Sequence, residues 1–350
     1  MNKKESGNPL FSLLHDFLKI YLPNQQKVSP NTIRSYSKSL DLLLDYIKTQ
    51  EKIPLYRVTF EMLTSDTVLA FLDYLEAERG CTASTRNNRL AAIRAFVEYA
   101  SDRDITVTSV LCELKKIPAK KTEDKAVIEY MSMEAVTAVI KQIDASKPKG
   151  LRDRFFIMLM YDTGARIQEM VGIRLCDLET GKAPKVTLHG KGNKIRIVPI
   201  MDKTAQHLEK YLSVFHTSES LSSEVPLFYA VTHGNKHPIS DRRIRYILKQ
   251  YGMKAHADCR EVPENIYPHL FRHSRAMHLY QAGMDLTMVS QWLGHAQLET
   301  TEIYAHADTE HKRKAIAAST PQDNPLYSKL NSTRYTVDDE EMLKRLVGLR

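Results

Sequence analysis

The second half of the chain brings together the residue types needed to transfer a phosphoryl group without a metal ion. His269-Leu270-Phe271-Arg272-His273 spaces two histidines and an arginine three and four apart, which places all three on one helical face. Thr163-Gly164-Ala165-Arg166-Ile167-Gln168-Glu169 sets another arginine just after a glycine break, with Glu169 positioned to orient its guanidinium. Gly190 to Asn193 reads as a turn carrying Lys191, and Trp292-Leu293-Gly294-His295 adds an imidazole. Tyr304 follows nine residues later, with Thr300, Thr301 and Glu302 suiting the opening of a short helix. Each piece also has a plain reading: a surface Arg–Glu pair, a satisfied polar cluster in the core, a packing tyrosine. A zinc site that adds His256 and Cys259 is disfavoured, because Arg272 between the ligands would repel a cation.

The elements that must hold these residues follow from periodicity. The first third reads as helices: a stripe of Leu13, Leu14, Phe17, Leu18 and Tyr21, a second of Ile33, Tyr36, Leu40, Leu43 and Ile47 after Ser29-Pro30, and a third through Val68, Phe71, Leu72 and Leu75. A fourth helix starts near Ser84 and buries Leu90, Ile93, Phe96 and Val97, leaving Arg86, Asn87, Arg89 and Arg94 outside as DNA contacts or as a solvated face. Lys115 to Lys121 holds four lysines and a proline with almost nothing to bury, and is read as a linker. Beyond it come helices over Ser132 to Ile143 and through Phe155 to Met160. A β-hairpin follows, with Val186 and Leu188 on one strand and Ile195, Ile197 and Ile200 on the other. The remainder reads as helical, including a helix opened by Ser240 whose Arg242, Arg243 and Arg245 are DNA contacts or a solvated face.

Composition bounds the function. With 43% apolar and 26% charged residues among 350, the chain is expected to fold as a soluble globular protein of two domains in the cytoplasm, without a membrane span. Its net charge of +8 favours a polyanionic partner. Four scattered cysteines suggest neither a disulfide framework nor a zinc ribbon.

The order of these motifs resembles the tyrosine recombinases, also called the phage integrase family, along nearly the whole chain. Arg166 in Thr-Gly-Ala-Arg, Lys191 in Gly-Lys-Gly-Asn-Lys, His269 with Arg272, His295 in Leu-Gly-His and then Tyr304 carry the resemblance. It implies a mainly α fold with a small β-sheet or hairpin: a helical SAM-like core-binding domain over residues 1–114, a basic linker at 115–126, a mixed α+β catalytic domain at 127–318 and a C-terminal tail at 319–350. Two such domains would clamp duplex DNA.

By the same resemblance Tyr304 attacks the scissile phosphate and forms a 3′-phosphotyrosyl link that a second strand's 5′-hydroxyl resolves, with no need of metal or ATP. Arg166 and Arg272 hold the non-bridging oxygens, Lys191 protonates the leaving oxygen, His269 takes the tyrosine proton and His295 donates a hydrogen bond to the phosphoryl group. Glu169 and His273 stand behind them, and Lys194 contacts backbone phosphate.

The implied partners are duplex DNA with inverted-repeat core sites, a tetramer of copies joined through the tail, and accessory recombination proteins. The short stretch before Leu10 argues against an additional arm-site domain and control from distant sites. Thr336 and Asp339 suit a helix start ahead of a stripe of Met342, Leu343, Leu346 and Val347, so Val337 to Arg350 is expected to dock in trans. The biological reading is an integrase or transposase of a mobile element. A chromosome or plasmid dimer resolvase would share the chemistry, a type IB topoisomerase would share the tyrosine, and a non-catalytic DNA-binding protein would not need every catalytic position filled.

Overall fold

Side-chain caps written into the sequence start most helices of the amino-terminal part. The structure, a computed structural model, describes residues 8–122, 128–190, 192, 194–295, 297–307, 313, 340–346 and 348, and divides into two units between Asp124 and Lys125. In the first unit Asn8 caps α1 (Pro9–Asp16), which runs on as wider π-helical winding over Phe17–Gln25. Ser29 accepts from the Thr32 amide to open α2 (Pro30–Glu51), with Pro30 in the first turn where its missing N–H costs nothing. Thr64 and Thr82 do the same for α3 (Ser65–Ala77) and α4 (Ala83–Ser101), and α5 spans Thr108–Lys116. Leu40, Leu43, Ile47, Phe71, Leu72, Ile93, Phe96 and Val97 meet in one core.

Two expectations about this unit change. The segment read as a linker begins inside a helix, since Lys115 and Lys116 close α5, and Ile117 is 3% exposed in the core. The polar residues of α4 do not all stand outside. Arg86 is buried beside Glu76 with its guanidinium reaching Pro118 O, Arg94 donates to Leu114 O and Ile117 O, Asn87 pairs with the Lys120 backbone in both directions, and Arg89 donates to Ser39 Oγ. The last carbonyls of α5 lack the full set of helical amides, and the cations of α4 donate to them and to the carbonyls just after them.

In the second unit Ser132 caps α6 (Met133–Lys141), and α7 (Pro148–Thr163) is buried on all sides through Phe155, Phe156, Ile157, Leu159 and Met160. The short α8 (Ile167–Val171) leads to a three-stranded antiparallel sheet of β1 (Leu178–Glu179), β2 (Lys185–His189) and β3 (Ile195–Pro199). Val186 pairs with Val198 and Leu188 with Arg196, so the inward face of β3 is Arg196 and Val198, while Ile195 and Ile197 are 59% and 58% exposed. Of the expected isoleucine stripe, Ile195 and Ile197 therefore lie on the opposite face of the strand, because side chains alternate, and only Ile200 is in the core.

After α9 (Asp202–Phe215) comes a second hairpin, β4 (Tyr229–Thr232) and β5 (Asn235–Pro238), where only helix was expected. His233 and Gly234 both take positive φ in its two-residue turn, the geometry that matches strand twist. Helices α10 (Asp241–Asp258), α11 (Pro268–Gln281), α12 (Leu286–Leu293), α13 (Glu299–Ala307) and α14 (Glu340–Leu346) complete the unit. The helix start assigned to Thr336 and Asp339, and Val347 of the tail stripe, lie outside the described residues. No helix among the described residues is long and apolar enough to cross a membrane.

Candidate active site

Arg166 is the N-cap of α8, reached after the left-handed Gly164 ends α7. Its own amide donates to Glu169 Oε2 at 2.8 Å and its guanidinium to Oε1 at 3.0 Å, so the carboxylate fixes both the helix start and the arginine. Arg196 of β3, absent from the sequence reading, forks onto the same carboxylate at 2.9 and 2.8 Å. Burial pulls the Glu169 carboxyl upward, but the bonds to Arg196 and Arg166 outweigh it and hold its pKa below the usual range.

Arg272 of α11 is 3% exposed and is held by two helix ends. It donates to Gly164 O at the close of α7 (2.7 Å) and to Leu293 O in the last turn of α12 (2.8 Å), where the helix dipoles favour a cation. Burial, then the nearby Arg166 and Arg196, push its pKa down to about 9, which leaves it charged at neutrality. A Cβ at Gly164 would lie 2.8 Å from Leu293 Cδ2, so glycine there sets the spacing of the two ends.

The phenol of Tyr304 is almost fully buried among Ala276, Met277, Val289 and Leu293. Its hydroxyl lies within hydrogen-bonding distance of Nδ1 of His273, at 2.9 Å. His273, expected to stand behind the site, is therefore the imidazole that touches the phenol; His269, one turn earlier, packs edge-on against the His273 ring and is exposed. Burial raises Tyr304 to about 12 against the opposing pull of Arg272 and Arg166. Burial, His269 and Arg272 press His273 down to about 4. Desolvation together with Arg272, Arg166 and Arg245 also lowers His269.

His295 follows Gly294, which ends α12 in the left-handed region, and its Nδ1 lies 2.7 Å from the hydroxyl of buried Thr301. With Thr301 donating, the ring proton sits on Nε2, the nitrogen left to meet a ligand. Burial and then Arg272, Arg166 and Arg196 lower His295 to about 4. Arg166, Glu169, Lys194, Arg196, Gly294 and His295 line a cavity of about 470 Å³. The concentration of guanidinium groups in and beside this cavity fits it to an anion. Lys191 lies outside the described residues. Arg242, Arg243 and Arg245 are exposed in the first turns of α10, and Ser240 accepts from the Arg243 amide.

Sequence reasoning missed Arg196 and Thr301. Alternation in Ile195-Arg196-Ile197-Val198 carries the signal for Arg196, which shares its face with a core valine. Thr301 reads as an ordinary helix-opening residue, and only the fold brings it under His295.

The chain matches the phage integrase family over residues 129–311 and the phage integrase N-terminal SAM-like domain over residues 14–104. It is 29% identical to the integrase/recombinase y4rC of Sinorhizobium fredii, covering 94% of this chain and 96% of that one. It is 30% identical to the tyrosine recombinase XerC of Staphylococcus carnosus, covering 84% and 92%. Among solved structures, the Tn1549 transposon integrase bound to a circular intermediate DNA superposes with a TM-score of 0.64 at 16% identity (89% of this chain, 100% of that one). XerH bound to its difH substrate superposes with a TM-score of 0.60 at 20% identity (90% of each chain). Arginines on helix ends, a histidine–tyrosine pair and matches along both units lead to one conclusion: the chain belongs to the phage integrase family, the tyrosine recombinases, enzymes that cleave and rejoin DNA.

Proposed function

We propose that Tyr304 attacks a DNA phosphate, with the 5′-oxygen leaving, and so forms a 3′-phosphotyrosyl link from which a second strand's 5′-hydroxyl displaces the phenol. The observation that carries this reading is the hydrogen bond between Tyr304 and His273 beside Arg166 and Arg272. The two guanidiniums take the non-bridging oxygens, matching charge that would otherwise call for a metal ion, and because the ester bond is exchanged rather than hydrolysed no ATP is consumed. His273 receives the phenol proton, with His269 beside it. His295 donates Nε2–H to the phosphoryl group, and Lys191 protonates the leaving oxygen. Digesting a trapped protein–DNA complex with nuclease and protease tests this: mass spectrometry should find a phosphonucleotide on the Tyr304 peptide, and a modified residue elsewhere would reject the assignment.

We further propose that the protein moves a mobile element as its integrase or transposase, recognising inverted-repeat core sites as a tetramer whose tail, Val337 to Arg350, docks on the neighbouring copy. The full-length likeness to y4rC and the fold shared with a transposon integrase support this. The likeness to XerC favours chromosome or plasmid dimer resolution as the second reading. Deleting the gene separates them: loss of a circular excised element supports the first, unresolved chromosome dimers the second. Removing Val337 to Arg350 should spare binding to one site and impair recombination; unchanged recombination would reject the docking role.

A further inference from the structure

Glu169 has four acceptor positions and all are taken. Oε1 receives Arg166 Nη1 at 3.0 Å and Arg196 Nη1 at 2.9 Å; Oε2 receives the Arg166 amide and Arg196 Nη2, both at 2.8 Å. The two arginines differ in setting. The Arg196 side chain is 12% exposed and grips the carboxylate with both arms of its fork, whereas Arg166 is 37% exposed and gives it one guanidinium nitrogen. One negative charge is shared by two cations, and the deeper, bidentate cation claims most of it. The surplus positive charge falls on Arg166, which lines the cavity.

Arg196 has a third anchor. Its Nε donates to Trp292 O at 3.0 Å, just ahead of Gly294 and His295, and a Cβ on Gly294 would lie 3.0 Å from Arg196 Cδ and Nη1. One side chain on β3 thus joins the carboxylate of α8 to the end of α12. Leu188, its cross-strand partner on β2, is fully buried and holds that part of the strand in place.

We propose that Arg196 is a positioning residue for strand cleavage: by occupying Glu169 it prevents that carboxylate from neutralising Arg166, and so keeps Arg166 charged toward the phosphate. The proposal rests on the strand-cleavage reading of the same site. A lysine would supply the charge without the fork, and a methionine would supply neither. Removing Arg196 gives the whole of Glu169 to Arg166, and removing the Glu169 charge as well returns Arg166 to the phosphate.

The test uses the full chain and a nicked duplex bearing the sequence that the wild-type protein selects from a random pool. Adduct rates are measured at saturating protein and expressed per binding-competent molecule, so that loss of folded protein does not enter. Arg196→Met should slow adduct formation about 100-fold, the scale of losing a preorganised transition-state contact, with little change in DNA affinity. Arg196→Lys should stay within about 10-fold of wild type, and Arg196→Met combined with Glu169→Gln should be at least about 10-fold faster than Arg196→Met alone. An Arg196→Met protein as fast as wild type, or a double variant no faster than Arg196→Met, would overturn the proposal in favour of a plain tether. Absence of any Tyr304-dependent adduct from the wild-type protein would instead remove the reading beneath it.

Discussion

The hydroxyl of Tyr304 rests on Nδ1 of His273 at 2.9 Å, with both groups neutral. The phenol is displaced up to about 12 and the imidazole down to about 4, chiefly because each is buried. Moving the proton between them is therefore uphill in the free protein. An attack from this geometry must transfer the proton as the bond to phosphorus forms, instead of drawing on a standing pool of phenolate.

This gives a pH signature. His273 carries its base form at every pH above about 4, Tyr304 its acid form below about 12, and Arg272 its charge until pH nears about 9, so the adduct rate at saturating protein should be nearly flat from pH 6 to 8. A preformed phenolate would instead give a tenfold rise per pH unit. His273→Gln should cost about 100-fold or more, the usual contribution of a positioned base, and more than His269→Gln does. Equal losses would undo the distinction between the two histidines.

Stability should fall in acid for the same reason. His273 and His295 ionise at about 4 in the folded protein, against an ordinary histidine near 6.5. Between these values the unfolded chain binds protons that the folded chain refuses, so stability is complete above about pH 6.5 and drains away as pH falls toward 4. The wild-type melting temperature should drop between pH 7 and 4.5, and drop less in a His273→Gln, His295→Gln protein. Parallel curves would show that neither ring is held neutral.

Gly164→Ala should destabilise the catalytic unit by about 1–3 kcal/mol, since the residue has a positive φ and the new methyl meets Leu293. Because Gly164 O also receives Arg272, the adduct rate of the folded fraction should fall too. Denaturant melts and single-turnover rates measure the two effects. A variant that loses stability alone would show that Arg272 keeps its position without this carbonyl.

The basic residues of α4 and α10 should behave differently on DNA. Arg242→Ala or Arg243→Ala should each reduce the slope of log affinity against log salt by about 1, as loss of one phosphate contact does. Arg86→Ala should lower the melting temperature of the first unit and leave that slope unchanged, because its guanidinium is turned to Glu76 and Pro118 O. A reduced salt slope for Arg86→Ala would return this residue to the DNA face.

The differences between sequence and structure have physical causes. Helix stripes, caps and the histidine–arginine face of α11 were legible because period and local chemistry define them. The inward turn of Arg86 and Arg94 was not, since the carbonyls they satisfy lie some twenty to thirty residues away in the chain. The hairpin of β4 and β5 hid behind short, polar strands, though His233-Gly234 carried its turn signal. His269 and His273 share a helical face, so spacing alone could not tell which would meet Tyr304.

The most direct test of the account is the covalent bond itself. Wild-type protein incubated with a nicked duplex carrying its selected site should give a DNA-linked band on a denaturing gel, and Tyr304→Phe, which keeps the buried ring and loses only the hydroxyl, should bind the same DNA and give none. A Tyr304→Phe protein that still forms the band would contradict the account.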